Sequence, residues 1–132
     1  MHYFQVDFTF SEKSYSNLLS NNTLAGLFEA NASSIGVHFE TDPEKKAKFG
    51  GSTDMGNVSH VVPSIHPKFH IGTMVSNHSK EFTVAAGDQI AQNYTLNVAK
   101  GLAMTAIELY TDSKLLHKVR KDFEADTKAL PS

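Results

Sequence analysis

The chain has 132 residues, 40% of them apolar and nine of them phenylalanine, which fits one modest folded domain and excludes a disordered segment. A net charge of −2, with scattered lysines and one basic cluster (Lys114 to Lys121) interrupted by apolar residues, gives no electrostatic footprint for nucleic acid. No run approaches the roughly 18 apolar residues of a membrane helix, the N-terminus lacks the pattern of a signal peptide, and the absence of cysteine excludes disulfides and thiolate zinc sites. A cytoplasmic location, away from membranes, is therefore expected. The five Asn-x-Ser/Thr sequons, at Asn21, Asn31, Asn57, Asn77 and Asn93, then carry no glycan.

Residues 2–10 alternate strictly, with Phe4, Val6, Phe8 and Phe10 on one side and Gln5, Asp7 and Thr9 on the other, so a half-buried strand is expected. Residues 11–20 are polar and read as a seam between two regions. Asn21 or Asn22 can cap a helix whose apolar positions are Leu24, Leu27, Phe28 and Ile35, with Gly36 at the left-handed C-terminal position. A short strand over 37–39 and an exposed loop or short helix over 42–49 follow.

Asp54 can cap a short helix that turns Val58, Val61 and Val62 to one face, although the β-branched valines make a strand the competing reading. Phe69 and Ile71 flank His70 in an alternating run that ends at Gly72, the pattern of a buried strand. A long helix is expected from about residue 88 to 110, with Ala91, Tyr94, Val98, Leu102, Ala106 and Leu109 as its apolar stripe. Gly101 in its interior points to close packing. The last helix, over about 113–127, places Leu115, Leu116, Val119 and Phe123 inward. Short apolar strands alternating with helices predict an α/β fold.

Chemistry-bearing residues concentrate in residues 50–82. Gly50 and Gly51 precede Ser52, Thr53 and Asp54, and His60, His66, His70 and His78 follow within nineteen positions. Glycines let backbone approach a ligand, while imidazoles and carboxylates bind metals and move protons. For Asp54 the helix-cap role stands ahead of direct metal ligation, and for His70 burial against a backbone carbonyl stands ahead of a ligand role. His60 is expected on an exposed helix face. A lone surface histidine is the commonest kind, but His78 is raised by its place between a glycine-rich turn and a long helix. The chain lacks His-Glu-x-x-His, a phosphate loop, a nucleophile elbow and a dinucleotide fingerprint.

Taken together, GSTDMGNVSHVVPSIHPKFHIG, NHSKEF and the long alanine-rich helix resemble the aminoacylase/carboxypeptidase family of two-zinc metallopeptidases. The likeness is to its aminoacylase-1-like branch, which includes Xaa-Arg and β-alanyl-lysine dipeptidases. The resemblance covers roughly residues 17–128. It implies that 1–16 is the last strand and seam of a lid domain, and that 17–132 is the C-terminal half of an α/β catalytic domain of short strands and long packing helices. It also implies dimerisation through the lid in the full-length protein.

Carried over residue by residue, His78 matches the family's last metal ligand. Gly51, Ser52, Thr53 and Asp54 match the turn lining the substrate pocket, whose N–H groups can hold a carboxylate. The remaining ligands of the two zinc ions, and the glutamate general base, belong to a His-x-Asp and a Glu-Glu pair that this chain does not contain. No catalytic residue is therefore assigned within it. The implied function is part of a zinc-dependent amidohydrolase or dipeptidase acting on a dipeptide or N-acyl amino acid, with the isolated chain inactive. Where several relatives carry a carboxylate-gripping arginine, this chain has Met55, Gly56 and Asn57, which leaves a dipeptide with a basic C-terminal residue open. The alternative is a non-enzymatic binding or assembly module that keeps the fold.

Overall fold

A computed structural model describes residues 5–12, 14–42, 44 and 53–130. Its elements are helices in chain order: α1 (Asn22–Ser34), α2 (Met55–Ser59), α3 (Lys80–Ala86), α4 (Gln89–Thr111) and α5 (Ser113–Lys128). No helix among the described residues is long and apolar enough to cross a membrane.

The packing unit is α1 laid against α4, with α5 closing over both. Phe28, Ala32 and Val98 form the buried centre, and Val37, Phe39 and Ile65 pack against it from the loops. Phe39 meets Phe28 edge-on, with ring centroids 5.8 Å apart, the geometry aromatic quadrupoles favour. The close packing expected at Gly101 is present. A Cβ there would stand 3.0 Å from the Cβ of Ala32, a side chain with no exposed surface, so two small residues set how closely α1 and α4 approach.

Both ends of α1 follow from the sequence. Asn21 accepts from the N–H of Leu24 at 3.0 Å, satisfying an otherwise orphaned donor. At the other end Gly36 adopts φ +87°, donating to Ser33, while Val37 donates to Ala32, each at 3.0 Å. This pair of bonds is the Schellman arrangement, and it brings Val37 back onto the core. Asp88 and Asp112 likewise accept from the first turns of α4 and α5.

Asn21 does more than cap. Its side-chain amide donates to the carbonyl of Val119 at 3.0 Å, and its backbone N–H donates to Ser64 at 2.9 Å. One buried residue thus ties α1 to α5 and to the segment after α2. Nearby, the hydroxyl of Thr23 bonds the carboxylate of Asp122, and Asn31 donates to Thr105 of α4 at 3.3 Å. Among the described residues no buried side-chain polar atom lacks a partner.

The helices of the expected α/β fold are present among the described residues, but its strands are not. Among the described residues, strand pairing is limited to one isolated parallel bridge between Ser20 and Ser64, and the fold is mostly helical. Residues 5–10 are exposed and unpaired, with Phe8 80% and Phe10 88% accessible, so the half-buried strand expected there is not formed. Residues 37–39 and 69–71 are also outside any strand. Alternation describes a side-chain pattern, but a strand also requires a neighbour to take its backbone bonds. The exposed loop or short helix expected over 42–49 falls largely outside the described residues.

The stripe expected on α4 is rotated. Ala91 and Val98 are buried as expected, but Gly101 and Thr105 complete the inward face, while Tyr94, Leu102 and Ala106 are exposed. In α5, Val119 is buried and Leu115, Leu116 and Phe123 are half-buried, as their spacing predicts.

Candidate functional site

The pocket-turn candidates lie at the entrance to α2. Gly51 and Ser52 fall outside the described residues. Thr53 and Asp54 are held together by the Thr53 hydroxyl, which donates to the Asp54 carboxylate at 3.4 Å and accepts from the N–H of Met55 at 3.3 Å. Asp54 itself makes no side-chain cap bond to α2, contrary to the role expected for it. Thr53, one residue earlier, takes the donor instead. The Asp54 carboxylate is left exposed.

The valine face at α2 turns outward. Val58, Val61 and Val62 are 44%, 74% and 47% exposed, while Gly56 and Ser59 are buried. The reason is a backbone crossing. Residues 14–20 run across α2, and a Cβ on Gly56 would collide with the carbonyl of Ser16. Ser59 donates to Gly56 at 2.6 Å and accepts from the N–H of Leu19 at 2.9 Å.

Asn57 grips the same segment at two points. Its amide donates to Ser14 at 3.0 Å, and its carbonyl accepts from Ser16 at 3.2 Å. His60, at the end of α2, contacts the carbonyl of Asn17 through Nε2 at 2.9 Å and is half-buried rather than fully exposed. None of these clamping roles has a spacing rule that would have exposed it in the sequence.

His78 stands alone in a different sense. It is exposed, and it is the only non-glycine residue with positive φ among those described, at 64°. That conformation presses a Cβ against the following carbonyl and is uncommon outside glycine. The flanking residues hold it there. Ser79 caps α3 by accepting from Phe82 at 3.1 Å, and its hydroxyl donates back to Ser76 at 2.8 Å, closing the loop around His78. The result is an imidazole projected from a fixed turn.

If backbone strain rather than ring contacts defines this position, His78→Gly should melt no lower than the wild type. His78→Val should lose about 2 kcal/mol, because a β-branched residue is poorly tolerated there. Thermal denaturation of the two variants checks this. A clear loss of stability in His78→Gly would show instead that the ring is held by its surroundings.

His70, expected to be buried on a strand, is exposed. Its Nδ1 accepts from the N–H of Gly72 at 3.1 Å, and its ring meets Tyr94 edge-on at 5.4 Å. The local bond to Gly72 closes a turn where a strand was expected. His66 is exposed. Beside Tyr94, an open depression is lined by Ile90, Asn93 and Asn97.

Among the described residues no group of three or more histidine, aspartate or glutamate side chains is arranged to hold a metal ion. Catalytic zinc ordinarily takes three protein ligands. The described residues therefore do not by themselves form a complete metal site.

No family model matches the chain. Two curated relatives do. A Xaa-Arg dipeptidase from Mus musculus is 44% identical over 119 residues, which is 90% of this chain and 28% of the relative. A Xaa-Arg dipeptidase from Homo sapiens is 46% identical over 110 residues, which is 83% of this chain and 25% of the relative. Over this stretch the chain is homologous to two proteins named Xaa-Arg dipeptidase. It spans about a quarter of the length of these relatives. The family resemblance read from residues 17–128 is thereby supported by alignments covering nearly the whole chain.

Proposed function

We propose that the chain forms one wall of the active site of a metal-dependent dipeptidase or related amidohydrolase, within an α/β catalytic domain that its own residues do not complete. The observation that carries this reading is the 44% and 46% identity to two proteins both named Xaa-Arg dipeptidase. The substrate class follows from those names and from Met55, Gly56 and Asn57, which offer no arginine for an acyl-amino-acid carboxylate: a dipeptide with a basic C-terminal residue.

In this reading His78 is the ligand the chain contributes, offered from its left-handed turn. The N–H groups of residues 51–54 receive the substrate carboxylate. A divalent ion, zinc by resemblance, would supply polarisation of the amide carbonyl and activation of water. The other ligands and the general base come from outside this sequence, so the isolated chain is inactive. The exposed Phe8 and Phe10 favour a second reading, in which residues 5–10 pair with another sheet edge in an assembly.

The test is a chimera in which this chain replaces the matched residues of the Mus musculus relative. Hydrolysis of a dipeptide ending in arginine is expected from the chimera and not from the free chain. His78→Ala in the chimera should lower kcat/KM by about a hundredfold or more and reduce bound zinc. An active chimera indifferent to His78→Ala would remove His78 from the metal site. A folded but inactive chimera would remove the pocket reading.

A further inference from the structure

Helix α4 carries apolar residues on two opposite sides. The inward side is Ala91, Val98, Gly101 and Thr105, packed on α1. On the far side, Leu96, Ala103, Ile107 and Tyr110 recur at the seven-, four- and three-residue steps that return to one face of a 3.6-residue helix. Leu96 is 56%, Ile107 61% and Tyr110 92% exposed, and Ala99 and Ala106 widen the strip along one flank. Lys100 is the charged residue within it. A surface helix has one apolar stripe and a polar back, whereas a helix that is apolar on both sides is packed from both sides. An exposed strip of this extent marks a contact face.

The relatives indicate the occupant. The matched stretch is 28% of one relative and 25% of the other, so each contains a large remainder of polypeptide outside the residues that correspond to this chain. We propose that the outer face of α4, centred on Leu96, Ala103, Ile107 and Tyr110, is the surface on which that remainder docks, joining this chain's residues to the rest of a dipeptidase-like domain. The proposal rests on the shared-family reading but not on the metal or substrate assignment, since none of these side chains belongs to the candidate site.

The test compares Leu96→Asp and Ile107→Asp in two settings, the free chain and the chimera with the Mus musculus relative. In the free chain both positions face solvent, so the melting temperature is expected to move by no more than about 2 °C. In the chimera stripped of metal each aspartate would be placed at a packed interface, and a fall of at least about 5 °C is expected, with His78→Ala causing no comparable fall. Unchanged melting of the chimera would overturn the proposal while leaving the activity reading intact. Equal losses in both settings would show that this face is already packed within the chain and would overturn it too. Sedimentation of the free chain supplies the third outcome: a dimer dispersed by Ile107→Asp would assign the face to a second copy instead. Loss of activity on His78→Ala in a chimera that keeps its melting temperature tests the function reading separately.

Discussion

Gly56→Ala is expected to lower the melting temperature by about 10 °C, a loss of about 3 kcal/mol. The added methyl cannot be absorbed by a side-chain rotation, because what it meets is the Ser16 carbonyl and the backbone of Asn17. Relief requires the 14–20 segment to lift from α2, and that would break several bonds together. The Asn57 contacts to Ser14 and Ser16, the Ser59 contact to Leu19 and the His60 contact to Asn17 all span this crossing. Thermal denaturation followed by circular dichroism measures the loss. Amide exchange should show Ser16 and Leu19 losing protection first. A variant that melts with the wild type would mean that the crossing contributes nothing to stability.

Asn21→Ala is expected to cost about 3 kcal/mol, from about 1 for the lost helix cap and about 2 for the Val119 carbonyl left without its buried donor. Asn21→Asp separates the two contributions. It keeps the acceptor for the Leu24 N–H but presents a carboxylate to the Val119 carbonyl, two acceptors facing each other in a buried place. Denaturant titration of both variants should therefore place Asp no better than Ala, although aspartate is as good a cap as asparagine at an exposed helix start. Recovery of wild-type stability by Asp would show that the Val119 contact is dispensable.

Helix ends were the most legible part of this chain because their determinants are local. Asn21, Gly36, Asp88 and Asp112 each satisfy donors or acceptors within a few residues, and α4 and α5 begin and end within a residue or so of the limits expected from capping and periodicity. The strands were not legible in the same way. Phe8 and Phe10 alternate correctly yet remain exposed, because pairing depends on a partner that alternation does not specify. Val58, Val61 and Val62 were incomplete guides for a related reason. Their spacing set them on one face without saying which way it turns, and the backbone crossing at Gly56 fixes α2 with its small residues inward.

The candidate site was legible only as residue types. The expectation for Asp54 failed because Thr53 was equally able to take the first-turn donor. That for His70 failed because an N–H two residues away offered its ring a local partner. His78 was singled out by its neighbours in sequence. Its left-handed backbone, which sets the direction of its Cα–Cβ bond, has no signature in the letters Asn-His-Ser.

The contacts of α1 with α5 also bear on how the protein is made. Asn21 waits for a partner 98 residues later in the chain, and Thr23 for one 99 residues later. At about 5–20 residues per second of synthesis, the first helix emerges from the ribosome about 5–20 s before the last can clasp it. Its start, where Asn21 and Thr23 meet α5, stays open to solvent and to other nascent chains for that interval. A contact spanning this much sequence closes only after α5 has been made, and the early exposure of α1 is where a holding chaperone would act.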